Sequence, residues 1–216
     1  MKPTLQIFTL RVGALSTNCY LFVNSQTHHS LIIDPGDDAD FIIRRISDLN
    51  CQPIGIIATH GHFDHILGVT ELKLAYSIPF LLHKDDTFLV NNMRESARYF
   101  LGTTVDPPPR VDTYLLSGKS FPFGTININI LGTPGHTPGS VCLSVENEQR
   151  LFCGDLLFSG GGIGRTDFSY SSAEDMRKSL TRILALPDET SIYPGHGESF
   201  QLKQERGRVL SHLASY

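Results

Sequence analysis

The sequence predicts an α/β fold in which β-sheet is covered by helices. Two observations carry that prediction. Short apolar runs bounded by turn residues alternate with segments whose apolar residues recur at helical spacing. The two kinds of segment are intermixed along both halves of the chain. A third observation, the close succession of several apolar runs, points to antiparallel hairpins and away from a simple series of βαβ units.

Taken in order, residues 5–12 (LQIFTLRV) and 18–24 (NCYLFVN) read as strands. Residues 30–36 (SLIIDPG) form an apolar run ended by a turn signal. Apolar residues at 39, 42, 43, 46 and 49 predict a helix over 37–49. Asp37, Asp38 and Asp40 lie near its start, where carboxylates complement the helix dipole. A short apolar run at 54–60 ends abruptly in polar residues; a helix at 69–76, a strand at 78–83 and a helix at 84–101 follow.

The stretch 104–110 (TVDPPPR) is a connector, because its prolines lack donors and fix φ. It marks a seam, near 104–112, between two similar halves of a single domain spanning 1–216. In the second half, strands are expected at 112–116, 125–132, 140–146, 150–153 and 190–195. Helices are expected at 173–186, with Ser171 or Ser172 as N-cap, and at 200–214.

Composition narrows the function classes. The 216 residues are 40% hydrophobic, enough for a sizeable core, and carry a net charge of −4. There is no global basic field, so neither nucleic acid nor an anionic membrane is an expected partner. Lys203, Arg206 and Arg208 read as a solvated helix face. Gln6 and Arg11 interrupt the first apolar stretch, which reads as a strand and not a secretory leader; no window suits a membrane span. Cys19, Cys51, Cys142 and Cys153 are scattered without a CxxC pair, which fits reduced, buried thiols in a cytoplasmic protein.

Five of the nine histidines and two aspartates fall in four segments of one style. Each follows an apolar run and opens a turn rich in Gly or Pro: IIATHGHFDHILG with His60, His62, Asp64 and His65; ILGTPGHTPGS with His136; RLFCGDLLFSG with Asp155; and SIYPGHGES with His196. A lone histidine after a strand is ordinarily a cap or a core group. Four His and Asp residues within six positions resist that reading, because each would need a buried partner or water. Imidazole and carboxylate suit zinc, and also iron or manganese. Seven candidate ligands exceed what one tetrahedral ion needs and match two ions sharing a carboxylate, with Asp155 the natural bridge.

THGHFDH at 59–65 resembles the H-x-H-x-D-H motif of the metallo-β-lactamase superfamily. His136 in GTPGHTPGS, Asp155 in CGD and His196 in PGHG match its remaining metal-binding motifs, so the resemblance runs from residue 5 to past 200. It implies a four-layer αβ/βα sandwich. It also implies that His60, His62 and His136 hold one metal and that Asp64, His65 and His196 hold a second, with Asp155 bridging. A hydroxide between the metals would attack the substrate carbonyl, and Asp64 would act catalytically by orienting it.

The stretch 160–168 (GGGIGRTDF) resembles the short hydroxyacylglutathione hydrolase (glyoxalase II)-like members, and also the persulfide dioxygenases, which bind one iron. No GK[ST] follows it, so it is not a phosphate loop. Arg165 and Asp167 are expected to form a buried pair that fixes the loop under the site, with substrate binding as the alternative. The helical extension that full-length glyoxalase II uses to contact glutathione has no counterpart before Tyr216.

The expected activity is therefore binuclear hydrolysis of a small-molecule thioester of the S-lactoylglutathione type, with two zinc ions, or iron or manganese in either position. A mononuclear iron persulfide dioxygenase is the alternative; nuclease and β-lactamase or lactonase activities rank below it. Asn18, at a strand start, reads as a turn or strand-end hydrogen bond or as an organiser of the metal loops. His83 reads as structural, Cys153 as a buried thiol, and 99–101 as helix packing in preference to a pocket wall. His28, His29 and His212 are assigned no function.

Overall fold

The computed structural model describes residues 5–214. The first half places β1 (Leu5–Val12), β2 (Thr17–Asn24), β3 (His29–Ile33), α1 (Ala39–Asp48), β4 (Gln52–Ile57), α2 (Val69–Tyr76), β5 (Phe80–His83), α3 (Thr87–Asn91), α4 (Met93–Leu101) and β6 (Thr113–Leu115) in order. The second places β7 (Ser120–Phe123), β8 (Ile126–Gly132), β9 (Val141–Val145), β10 (Arg150–Gly154), α5 (Ala173–Leu184), β11 (Ser191–Pro194), β12 (Phe200–Gln201) and α6 (Leu202–Ala214). Strands β1 to β6 form one six-stranded sheet in sequence order, and β12-β11-β10-β9-β8-β7 form the other. The chain passes between sheets after Leu115, just beyond the proline-rich connector.

Three cores define four layers. Tyr20, Phe22, Ile33 and Ile57 of the first sheet meet Ile128, Leu143 and Phe152 of the second. Cys19, Leu21, Val23 and Ile56 face α1, α2 and α4 on the other side. Leu151, Cys153 and Ile192 face α5 and α6. Every residue of β2 is buried, because the strand is covered on both faces and its side chains alternate between two cores. This is the αβ/βα sandwich that the resemblance implies.

Two expectations about the elements need correction. Residues 84–101 are not one helix: a 3-10 turn at Lys84–Asp86 leads into α3, and Asn92, at φ −92° and ψ 4°, separates α3 from α4. Strands β7 and β12 were not predicted. Both are sheet edges, where Pro122 is tolerated in β7 and two residues suffice for β12. Ser172 is the N-cap of α5, accepting a hydrogen bond from Asp175 N at 3.1 Å. The four cysteines are free, but Cys51 is partly exposed and not buried. No helix among the described residues is long and apolar enough to cross a membrane.

Candidate metal centre

The two sheets are stitched together where the predicted motifs meet. Asn18 N donates to Gly195 O at 2.7 Å, and Val141 N donates to Thr59 O at 2.9 Å, joining strands of opposite halves. At this edge the 60–65 turn leaves β4, the 136 turn links β8 to β9, Asp155 follows β10 and His196 follows β11.

All seven predicted residues converge there. Three donor sets form: His60, His62 and His136; Asp64, His65 and His196; and His60, His65 and Asp155; in each set the ligand atoms lie within 4.8 Å of one another. The rings crowd closely, with His60 and His65 centroids 4.1 Å apart and those of His62 and His136 4.5 Å apart. Gly195 is required for this approach, since a Cβ there would collide with the Asp155 carboxylate and lie 2.7 Å from the His65 ring.

Four of the five histidines have one nitrogen hydrogen-bonded outside the ligand sets and the other turned into the cluster. His136 Nδ1 donates to Arg165 O at 2.8 Å, and His196 Nδ1 to Leu15 O at 3.1 Å. Carbonyls only accept, so both rings carry a proton on Nδ1 and turn Nε2 inward. Thr59 Oγ1 donates to Asp34 Oδ2 at 2.7 Å, and its oxygen lies 3.1 Å from His60 Nδ1. That chain assigns the His60 proton to Nδ1 and the lone pair to Nε2. His62 Nε2 meets Tyr170 Oη at 2.8 Å, and its Nδ1 faces His136 Nε2 at 2.9 Å. His65 Nδ1 lies 3.1 Å from Asp34 Oδ2, within ion-pair reach but off the hydrogen-bonding direction of the ring.

The electrostatics suit a cation. Burial, reinforced by the neighbouring rings, keeps His60 well below the usual histidine range and takes His62 down to about 3. Burial would push Asp155 up, but His65, His60 and His196 hold it far below the usual carboxylate range. Asp64 is held low against burial by His65 and His196. Burial would lower His65, yet Asp155, Asp64 and Asp34 outweigh it and raise the imidazole well above its ordinary value. Burial thus keeps His60 and His62 neutral, while the carboxylates favour positive charge on His65 and His196, charge that a metal ion would supply in its place. His60 Nε2 and Asp155 Oδ1 are buried without a hydrogen-bond partner among the described residues. Unsatisfied buried donors of this type fit metal ions.

The site opens into a cleft of about 200 Å³ walled by Leu15, Phe63, Phe100, Phe168 and Tyr170, with Arg165 at its rim. Phe100, expected to pack within the helical layer, is half exposed and stacks on Phe63 at 5.7 Å, so it serves as cleft wall. The Arg165–Asp167 pair, expected to be buried, is exposed at 59% and 66%, with the guanidinium 4.5 Å above the Phe168 ring. His83 accepts from Asp85 N at 3.4 Å and belongs to no donor set among the described residues. Burial raises the Cys153 thiol, which donates to Leu157 O at 3.3 Å. Asp34, Asp86 and Tyr170 were not singled out from the sequence; the only available signal was the position of each aspartate just after an apolar strand.

Residues 12–196 match the model of the metallo-β-lactamase superfamily. The chain belongs to that superfamily, whose members are mostly hydrolases. Hydroxyacylglutathione hydrolase GloC of Haemophilus influenzae is 33% identical over 94% of this chain and 95% of its own. The crystal structure of the B3 metallo-β-lactamase BLEG-1 is 32% identical, with a TM-score of 0.86 over 94% of this chain and 97% of that one. The structure of TTHA1623 in a di-iron-bound form is 34% identical, with a TM-score of 0.84 over 92% and 96%.

Proposed function

We propose that this chain hydrolyses a small-molecule thioester of the hydroxyacylglutathione type with two divalent ions, zinc foremost. His60, His62 and His136 would hold one ion and Asp64, His65 and His196 the other, with Asp155 shared. The observation that carries this reading is the grouping of seven donors into two triads joined by a third set containing Asp155. Two bound divalent ions supply an activated water and a Lewis acid for a carbonyl oxygen.

The chain's own residues do the rest. Asp64 Oδ2, 3.3 Å from both His196 Nε2 and Thr17 Oγ1, is placed to accept a hydrogen bond from an attacking water and orient it. The aromatic walls exclude bulk water and strengthen the electrostatics inside. Arg165, at the rim, offers a cation to a substrate carboxylate. The likeness to GloC supports the glutathione thioester.

A second reading, β-lactam hydrolysis, is favoured by the likeness to BLEG-1. The deciding experiment is elemental analysis of protein purified without added metal, with S-D-lactoylglutathione and a chromogenic β-lactam tested on the same sample. Two ions per chain with thioester turnover is the expected result. Turnover of the β-lactam alone would exchange the first reading for the second. One iron per chain, with oxygen uptake on glutathione persulfide, would overturn both in favour of a dioxygenase.

A further inference from the structure

Asp86 is a fully buried carboxylate that the proposed chemistry does not use. It lies in the 3-10 turn after β5, and it accepts three hydrogen bonds. Gly61 N donates to Oδ2 at 2.8 Å, Thr137 Oγ1 to Oδ2 at 2.6 Å, and Gly139 N to Oδ1 at 2.7 Å. Gly61 sits between His60 and His62, in the first half; Thr137 follows His136, in the second. One side chain therefore ties together the two backbone segments that carry the whole His60/His62/His136 set. Gly61 opens the turn that also carries Asp64 and His65, but the bond meets it between His60 and His62, and none of the three reaches the segments of Asp155 or His196.

The chemistry of the bonds calls for a carboxylate. All three partners donate and Asp86 only accepts, so an amide in its place would turn an NH₂ group towards at least one donor. The approach is close enough to exclude a side chain at Gly139, where a Cβ would lie 2.7 Å from the Asp86 carboxyl carbon. Burial raises the Asp86 carboxyl, and the bonds from Thr137, Gly61 and Gly139 oppose that shift. No Lys or Arg is paired with it among the described residues, so these bonds are its direct compensation.

We propose that Asp86 is a positioning residue for one metal position only: it sets the His60/His62/His136 triad across the two halves and leaves the Asp64/His65/His196 position untouched. The proposal rests on the ligand sets given above. Its test is zinc affinity, measured by competition with a chromophoric chelator, which reads the two positions separately in single-site backgrounds.

In His196→Ala, Asp86→Asn is expected to weaken the remaining zinc by about tenfold to a hundredfold, the usual cost of losing a group that orients ligands. In His136→Ala, the same substitution is expected to change the remaining zinc by less than about threefold, since none of the three bonds meets a ligand of that position. Should Asp86→Asn fold poorly, Thr137→Val removes a single bond to Asp86, and Thr137→Ser restores the hydroxyl. Weakening by Val and recovery by Ser, confined to the His196→Ala background, is the expected pattern. Equal losses in both backgrounds would make Asp86 a general structural group, and no loss in either would remove its role; both overturn the proposal. Fewer than two zinc ions in the unsubstituted protein would instead show that the ligand sets themselves are wrong.

Discussion

Tyr170 Oη lies 2.8 Å from His62 Nε2, joining the loop that walls the cleft to a histidine contributed by the other half. The hydroxyl stays protonated at ordinary pH, since burial pushes Tyr170 up to about 12. With Nε2 of His62 engaged, Nδ1 is the nitrogen presented to the His60/His62/His136 position.

Tyr170→Phe keeps the ring and removes this bond. Zinc affinity at one position is expected to fall by about tenfold, with the other unchanged. Equilibrium zinc competition checks it. A shift in KM with zinc affinity intact would make Tyr170 a cleft wall alone.

Asp155 reaches histidines of both triads, 3.5 Å from His65 Nε2 and 3.6 Å from His136 Nε2 and His196 Nε2. Asp155→Ala is expected to bring zinc content below one ion per chain and to abolish hydrolysis. Elemental analysis after dialysis measures the first, and a thioester assay the second. A variant that keeps two ions and turns over would refute the shared role.

Asn18 Nδ2 donates to Pro194 O at 3.0 Å and to Gly197 O at 2.9 Å, so β2 grips the turn that carries His196. Asn18→Ala is expected to cost about 1–3 kcal/mol, because it strips a donor from buried carbonyls. Urea unfolding of the metal-free protein gives the number. An unchanged midpoint would mean that Tyr20 Oη, which donates to Pro194 O at 2.6 Å, holds the turn without help.

Arg165 faces solvent beside Asp167 and above Phe168. Arg165→Ala is expected to leave the melting temperature unchanged, since an exposed ion pair adds little. KM for a glutathione thioester should rise several-fold with kcat nearly constant, the signature of lost uniform binding. A fall in kcat at constant KM would place Arg165 in the chemical step instead.

Most strand and helix positions were legible because burial imposes periods of about two and 3.6 on the sequence. β7 was not, because SFPF carries a proline that only an edge strand accepts, and edge position is a property of the assembled sheet. The break at Asn92 was equally hidden, since residues on either side keep helical spacing.

The sequence by itself determined which residues are the candidate metal donors. Ligation needs particular atoms on short, local turns, so THGHFDH, GTPGHTPGS, CGD and PGHG declare the residue types before any fold is known. Only the tertiary structure decided how those donors are aimed. The groups that orient them are remote in the chain: Thr59 and Asp34 are 25 residues apart, Gly139 and Asp86 53, and His62 and Tyr170 108. A hydrogen bond across such a span depends on where packing places both partners to within tenths of an ångström, and no local pattern encodes that distance. The same reason exposed the Arg165–Asp167 pair that the sequence led us to expect buried under the site. Charge complementarity can be read along the chain, but burial is settled by the whole fold.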